Sequence, residues 1–387
     1  MIFDEEINRR GTNSYKWDSR PDIPADTIPL WVADMDFKVA EPISEALQRR
    51  LDIGIFGYTF VPDAYYEALT GWFERRHGWS IRRNQVIYTS GVVLAISAIS
   101  KALTKPGQKV LILTPVYNCF FSSIRNNGCI ASESALVLDG DTYRIDFEDM
   151  EAMASDPACT LMVVCNPHNP AARAWTKEEL ERIDEICRRH GVLPVSDEIH
   201  CELVFRPHKF TPYATLAKGD WVACVSPSKA FNIAGLQIAN IVCSSEEIRA
   251  KVDRAINDNE VCDVNPFGVD ALIAAYNHSE PWLTTLIDYI RDNYMMLKAA
   301  FSRLAPKLKV INQEATYLAW VDCRNISMCS EELEEYLIRE AHVWINAGCM
   351  YGKDGEGFIR INMACPRSRL RTALDRTLPV LNDLSNK

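Results

Sequence analysis

Six short apolar runs recur through the middle of the chain: VIYTS at 86–90, KVLILT at 109–114, TLMVVC at 160–165, VLPVS at 192–196, WVACVS at 221–226 and IANIVCS at 238–244. Runs of this length suit buried strands, and the stretches between them carry a helical period. Gly91 separates the first run from an apolar helix pattern reaching Leu103, and Pro115 ends the second. Thr176 and Glu179 form a capping box that opens a helix ending near Gly191. This alternation predicts a parallel α/β sheet, with the 238–244 run as an edge or antiparallel strand. A long helix is predicted over 280–303, followed by shorter strands and helices around the glycine-rich YGKDGEGF. The polar motifs NPHNP, DEIH and PSK fall at predicted strand carboxyl ends, which is where open α/β sheets bind ligands.

Composition narrows the function classes. At 387 residues the chain exceeds what one hydrophobic core usually organises, so two domains are expected. Apolar residues make up 48% and charged residues 24%, the balance of a well-filled globular protein. A formal charge of −10 without any Lys/Arg run argues against a nucleic-acid partner. MIFDEEINRR lacks the apolar core of a secretory signal, and no apolar stretch approaches the roughly 18 residues of a membrane span, so no membrane association and a cytoplasmic location are expected. Thirteen cysteines, without C-x-x-C spacing and in apolar contexts, read as buried free thiols.

Several residues carry candidate chemistry. Lys229 follows a predicted strand in SPSKAFNIAGL; it is either a surface lysine or, held in a partly desolvated site, an amine able to form an imine. Ser226, Ser228 and the N–H groups after them can receive a phosphate. Asp197 in SDEIH either caps the next turn or holds a pyridine nitrogen protonated. His200 is a core histidine or a neighbour of that ring; DEIH is not HExxH, so no metal is expected. Asn169 in NPHNP makes an Asx turn or donates to a phenolic oxygen. Arg360, flanked by Phe358, Ile359 and Ile361, needs an anionic partner: an internal carboxylate or a substrate's. Gly91 and Val92 stand where a helix N-terminus can bind an anion, and YGKDGEG lacks the dinucleotide-binding order.

Taken in order, WVADMDF, FGYT, SGVVLAI, PVYNCF, NPHNP, SDEIH, PSKAFNIAGL and GFIRINMACPR resemble the motifs of the class I/II aminotransferase superfamily, and more narrowly its cystathionine β-lyase or cysteine-S-conjugate β-lyase branch. The resemblance spans residues 31–367. It implies an α/β chain of PLP fold type I: a large domain with a mainly parallel seven-stranded sheet plus a smaller α+β domain. The implied division is 1–45 (N-terminal segment joining the small domain), 46–285 (large, pyridoxal-phosphate-binding domain) and 286–387 (small C-terminal domain). By resemblance, Lys229 carries pyridoxal 5′-phosphate, Asp197 pairs with its ring nitrogen, Asn169 bonds its phenolic oxygen, Tyr117 stacks on the ring and His200 lies beside it. Gly91, Val92, Ser226 and Ser228 would surround the phosphate. Tyr58 would reach it from the other subunit of a homodimer, and Arg360, with Tyr58 and Asn169, would hold the substrate.

His200 where many aminotransferases have tyrosine, and Gln237 where many have arginine, lean toward the lyases. The branch usually has glycine where this chain has Ala172, which is strained if that position needs positive φ. The reading is a carbon–sulfur β-lyase releasing a thiol, pyruvate and ammonia, with Lys229 as general base. A transaminase and a non-catalytic regulator that binds a protein partner are its rivals.

Overall fold

The structure is a computed structural model that describes residues 2–258 and 263–387. Seven strands form its main sheet: β1 (Val86–Thr89), β2 (Lys109–Thr114), β3 (Ile130–Ala135), β4 (Cys159–Cys165), β5 (Leu193–Asp197), β6 (Val222–Val225) and β7 (Ala239–Cys243). Their spatial order is β1-β7-β6-β5-β4-β2-β3. The pairs β3–β2, β2–β4, β4–β5 and β5–β6 are parallel, while β7 runs antiparallel to both β6 and β1. The expected antiparallel strand is therefore present but lies inside the sheet, with β1 at the edge. At the other edge stands β3, IASESA, which carries no apolar run and alternates between buried and open positions. An edge strand covered on one face needs only that alternation.

The remaining strands read as continuous apolar runs because both faces of the sheet are covered. Leu111, Leu113, Met162 and Val164 face one buried cluster, and Val110, Ile112, Leu161 and Val163 face another. On the second face lie α1 (Val92–Leu103) and α2 (Asn118–Asn126), which contribute Ala95, Ile96, Ile99, Phe120 and Ile124. The first face receives α3 (Lys177–His190) through Leu180, Ile183, Ile186 and Cys187. Its capping box forms as expected: Thr176 Oγ accepts from Glu179 N at 3.2 Å, Glu179 Oε2 accepts from Thr176 N at 2.8 Å, and Gly191 closes the helix at φ 69°.

The predicted long helix is α4 (Glu280–Leu304). After it, β8 (Lys309–Val310), β9 (Leu318–Asp322), β10 (Asn346–Ala347) and β11 (Phe358–Asn362) make a second sheet in the order β8-β9-β11-β10. The N-terminal segment joins this part of the molecule, because Ile28–Pro29 pairs in parallel with Val343–Trp344. Asp36 anchors it: this buried carboxylate takes Lys16 at 3.1 Å, Arg9 at 2.8 Å and Arg369 at 3.2 Å. Residues 31–36 are thereby held across the open end of the main sheet.

The described cysteines are free thiols, but the expectation that they are all buried needs correction. Cys329 is exposed and Cys119 and Cys349 are half-buried, because each sits on a helix start or turn and not in a strand. Among the described residues no helix is long and apolar enough to cross a membrane.

Candidate active site

Because β1, β2, β4, β5 and β6 point the same way, the segments that follow them share one edge of the sheet. Those segments bring Gly91, Tyr117, Asn169, Asp197, His200 and Lys229 to that edge, and β11 supplies Arg360 from the smaller sheet. This is the crevice position that open α/β sheets use for ligands.

The Lys229 amine donates to the Ala33 carbonyl at 2.7 Å, and the Tyr317 hydroxyl donates to the same oxygen at 3.0 Å. Burial, and then the Arg360 guanidinium, push the amine down to about 8. Asp197 is 3% exposed; its Oδ1 accepts the Ile199 N–H at 3.1 Å, and no cation forms an ion pair with it among the described residues. Burial drives its carboxyl up to about 7. A carboxylate left so is one that a positively charged ligand atom would satisfy.

Arg360 bears on the alternative left open by its sequence. It is 3% exposed, yet its N–H groups meet only neutral acceptors: Asn169 Oδ1 at 3.2 Å and the Trp31 carbonyl at 2.9 Å. The guanidinium lies 4.9 Å from the Tyr351 ring centre, and Nε has no partner. Among the described residues no Asp or Glu forms an ion pair with it.

Tyr117 precedes α2, half-buried beside these groups; burial, then Cys119, holds its phenol protonated. His200 is buried with Nδ1 unpartnered and its ring edge-on to Tyr317 at 6.1 Å. Burial, then Lys229 and Arg360, push it down to about 3, so it is neutral. The Ser226 hydroxyl donates to the Ile238 carbonyl and accepts the Ser228 N–H at 3.1 Å, and the two serine oxygens lie 2.9 Å apart. Ser226 therefore braces the turn, and both serines are buried, Ser228 slightly less so. Gly91 caps α1, and a Cβ there would meet nothing within 4 Å, which leaves open space before the unpaired N–H groups of the first turn. The single chain does not bring Tyr58 to this place: its side chain is 98% exposed.

Sequence reasoning assigned no role to Ala33, Tyr317, Tyr351 or Cys119, whose proximity to Lys229 or Arg360 exists only in the folded chain. WVADMDF did mark the strap containing Ala33. His77, Cys201 and Glu202 also converge, with ligand atoms within 4.8 Å of one another, but Trp72, Arg76 and His77 already engage Glu202. That knot ties the Asp63–His77 helix to the turn after β5.

The model of the aminotransferase class I and II family matches residues 26–376. The chain belongs to this family. Among its class I and II relatives, cystathionine β-lyase PatB of Bacillus subtilis is 40% identical over 99% of this chain and all of its own length. The solved structure of cystalysin from Treponema denticola, which contains pyridoxal 5′-phosphate, superposes with a TM-score of 0.95 at 33% identity, over 99% of each chain. That of the PLP-bound C-S lyase from Staphylococcus hominis gives 0.92 at 32%, over 98% of this chain and 97% of the other. In this aminotransferase-fold chain Ala172 has φ 56°, so the position where the branch usually has glycine does lie in the left-handed region.

Proposed function

We propose that this chain is a pyridoxal-phosphate-dependent carbon–sulfur β-lyase that cleaves cystathionine or related S-substituted cysteines. One observation carries the reading: Arg360 and Asp197 are buried charged groups with no ion pair among the described residues, and both act electrostatically on the half-buried Lys229 amine. A ligand with a carboxylate at one end and a protonated ring nitrogen at the other answers both. Pyridoxal phosphate, when bound, supplies an electron sink for charge at the substrate's Cα. The donor set fits it: Lys229 for its aldehyde carbon, Asp197 for the ring nitrogen, Asn169 for the phenolic oxygen, and the first turn of α1 with Ser228 for the phosphate.

Arg360 grips the α-carboxylate through its planar fork and so fixes which bond at Cα faces Lys229. Lys229 is suited to the general base, since its lowered affinity for a proton leaves part of it neutral near pH 8. It takes the Cα proton, and a thiolate departs from Cβ. Asp197 stays ionised against the ring nitrogen, and neutral His200 adds no positive charge to compete with it. The choice of lyase over transaminase is supported by the 40% identical relative and by His200 and Gln237.

The same proposal includes a homodimer in the cytoplasm. Ile55, Phe56, Tyr58 and Phe60 form an exposed apolar segment, 58% to 98% open, which a second copy would cover while Tyr58 reached its site. Purified protein loaded with pyridoxal phosphate should release pyruvate from cystathionine, cystine or S-alkyl cysteines without a keto acid. Borohydride followed by peptide mapping should place the pyridoxyl label on Lys229. Product formation only when a keto-acid acceptor is added would reassign the chain to transamination, and a label on another lysine would remove Lys229.

A further inference from the structure

Asn346 stands directly opposite Arg360 in the β10–β11 pair, so both side chains leave the same face of the smaller sheet. The Asn346 amide is buried, and its Nδ2 donates to the Trp31 carbonyl at 3.0 Å and to the Tyr351 hydroxyl at 2.9 Å. A carbonyl only accepts, so the atom facing Trp31 is the nitrogen, which fixes the amide's orientation. Both partners also hold Arg360. The Trp31 oxygen accepts Arg360 Nη2 at 2.9 Å, and the Tyr351 ring centre lies 4.9 Å from the guanidinium carbon. Trp320, opposite Arg360 on its other neighbouring strand, backs that ring edge-on at 5.4 Å. Asn346 thus reaches the guanidinium through two intermediaries. Its Oδ1 is buried without a partner among the described residues, as is Arg360 Nε. An apolar side chain would fill the place without leaving an oxygen unsatisfied, so the worth of the amide lies in the two bonds its nitrogen makes.

We propose that Asn346 is a positioning residue for the substrate's α-carboxylate: through the Trp31 carbonyl and the Tyr351 ring it sets the plane in which Arg360 presents its fork. The inference rests on the reading of Arg360 as a carboxylate clamp. A guanidinium meets a carboxylate with two parallel hydrogen bonds only when their planes coincide, so one free to tilt keeps its charge but loses the second bond. Without Asn346 the Trp31 oxygen keeps a single side-chain donor, and Tyr351 loses the bond that fixes its hydroxyl end.

The test uses cofactor-loaded protein and the two halves of S-methylcysteine. 3-(Methylthio)propionate carries the carboxylate but no amine, and 2-(methylthio)ethylamine carries the amine but no carboxylate. Dissociation constants are measured by calorimetry. Asn346→Ala should weaken the acid about 2- to 12-fold, the range to which the net contribution of one hydrogen bond converts, and leave the amine unchanged. If Asn346→Ala does not fold, Tyr351→Phe is measured in its place, since it keeps the ring and removes only the hydroxyl that Asn346 bonds. Unchanged acid binding overturns the proposal. So does equal weakening of acid and amine, the result of a general loosening of residues 31–36. Arg360→Lys separates the two readings. An acid that fails to bind the parent, or binds Arg360→Lys as tightly, removes the clamp and this inference with it; an acid weakened by Arg360→Lys but not by Asn346→Ala removes Asn346 alone.

Discussion

Arg360 donates to the side-chain oxygen of Asn169 at 3.2 Å across 191 positions of sequence. The contact joins the smaller sheet to the turn after β4, so the group proposed to hold a substrate and the amide proposed to hold a cofactor are set by one hydrogen bond. Their spacing cannot change independently.

Arg360→Lys keeps the charge but loses the fork. Loss of a charge-assisted hydrogen bond of about 1.5 to 3 kcal/mol should lower kcat/KM about 10- to 150-fold. Because among the described residues no carboxylate pairs with Arg360, the melting temperature should hardly move. A fall in melting temperature with kcat/KM preserved would make Arg360 a structural residue.

Asp197→Asn removes the charge proposed to face the ring nitrogen while keeping an acceptor for the Ile199 N–H. Pyridoxal phosphate should still bind, measured by its absorbance after gel filtration, and turnover should be largely lost. Near-normal turnover with the cofactor bound would show that the ring needs no ionised partner.

Glu198 predicts a pH dependence of the cofactor-free protein. It is fully buried; Oε1 accepts the Tyr213 N–H at 2.8 Å and the Ser196 hydroxyl at 2.9 Å, and Oε2 has no partner. Burial first, with Asp197 adding to it, raises its carboxyl from 4.5 to about 8. Between those values the unfolded chain has lost a proton that the folded chain keeps, so rising pH lowers stability, by at most about 1.4 kcal/mol per unit. Glu198→Gln keeps the Oε1 contacts and cannot ionise. Its melting temperature relative to the parent should climb steadily from pH 5 to pH 8; parallel curves would mean that Glu198 is already charged.

Ala172 stands at φ 56°, and its carbonyl accepts the N–H groups of Glu314 at 2.9 Å and Ala315 at 3.1 Å, which hold it there. A side chain in that region costs about 1 to 2 kcal/mol, partly offset by the entropy that glycine adds to the unfolded chain. Ala172→Gly should therefore raise stability by up to about 1 kcal/mol in urea unfolding, and destabilisation would show that the loop carries no strain.

Much of this protein is legible in its sequence because buried parallel strands must be apolar runs and the turns after them must be polar. VIYTS, KVLILT, TLMVVC, VLPVS and WVACVS therefore announced the five parallel strands of that kind, with Asp197 and Lys229 just beyond two of the runs, and IANIVCS announced a sixth of the seven strands. The capping box at Thr176 and the long helix at 280–304 rest on equally local rules. The edge strand IASESA escaped notice because half of it faces outward, and the inner place of β7 depends on pairing that no local pattern encodes. Arg360 is the clearest division between the two kinds of knowledge. Its sequence demanded an anion, a consequence of charge among apolar neighbours, but whether that anion is internal depends on every carboxylate that could approach it in space. Only the folded chain, which sets Asn169, Trp31 and Tyr351 around the guanidinium and no acid among the described residues, leaves it without an internal ion pair there and so supports the proposal of a substrate carboxylate.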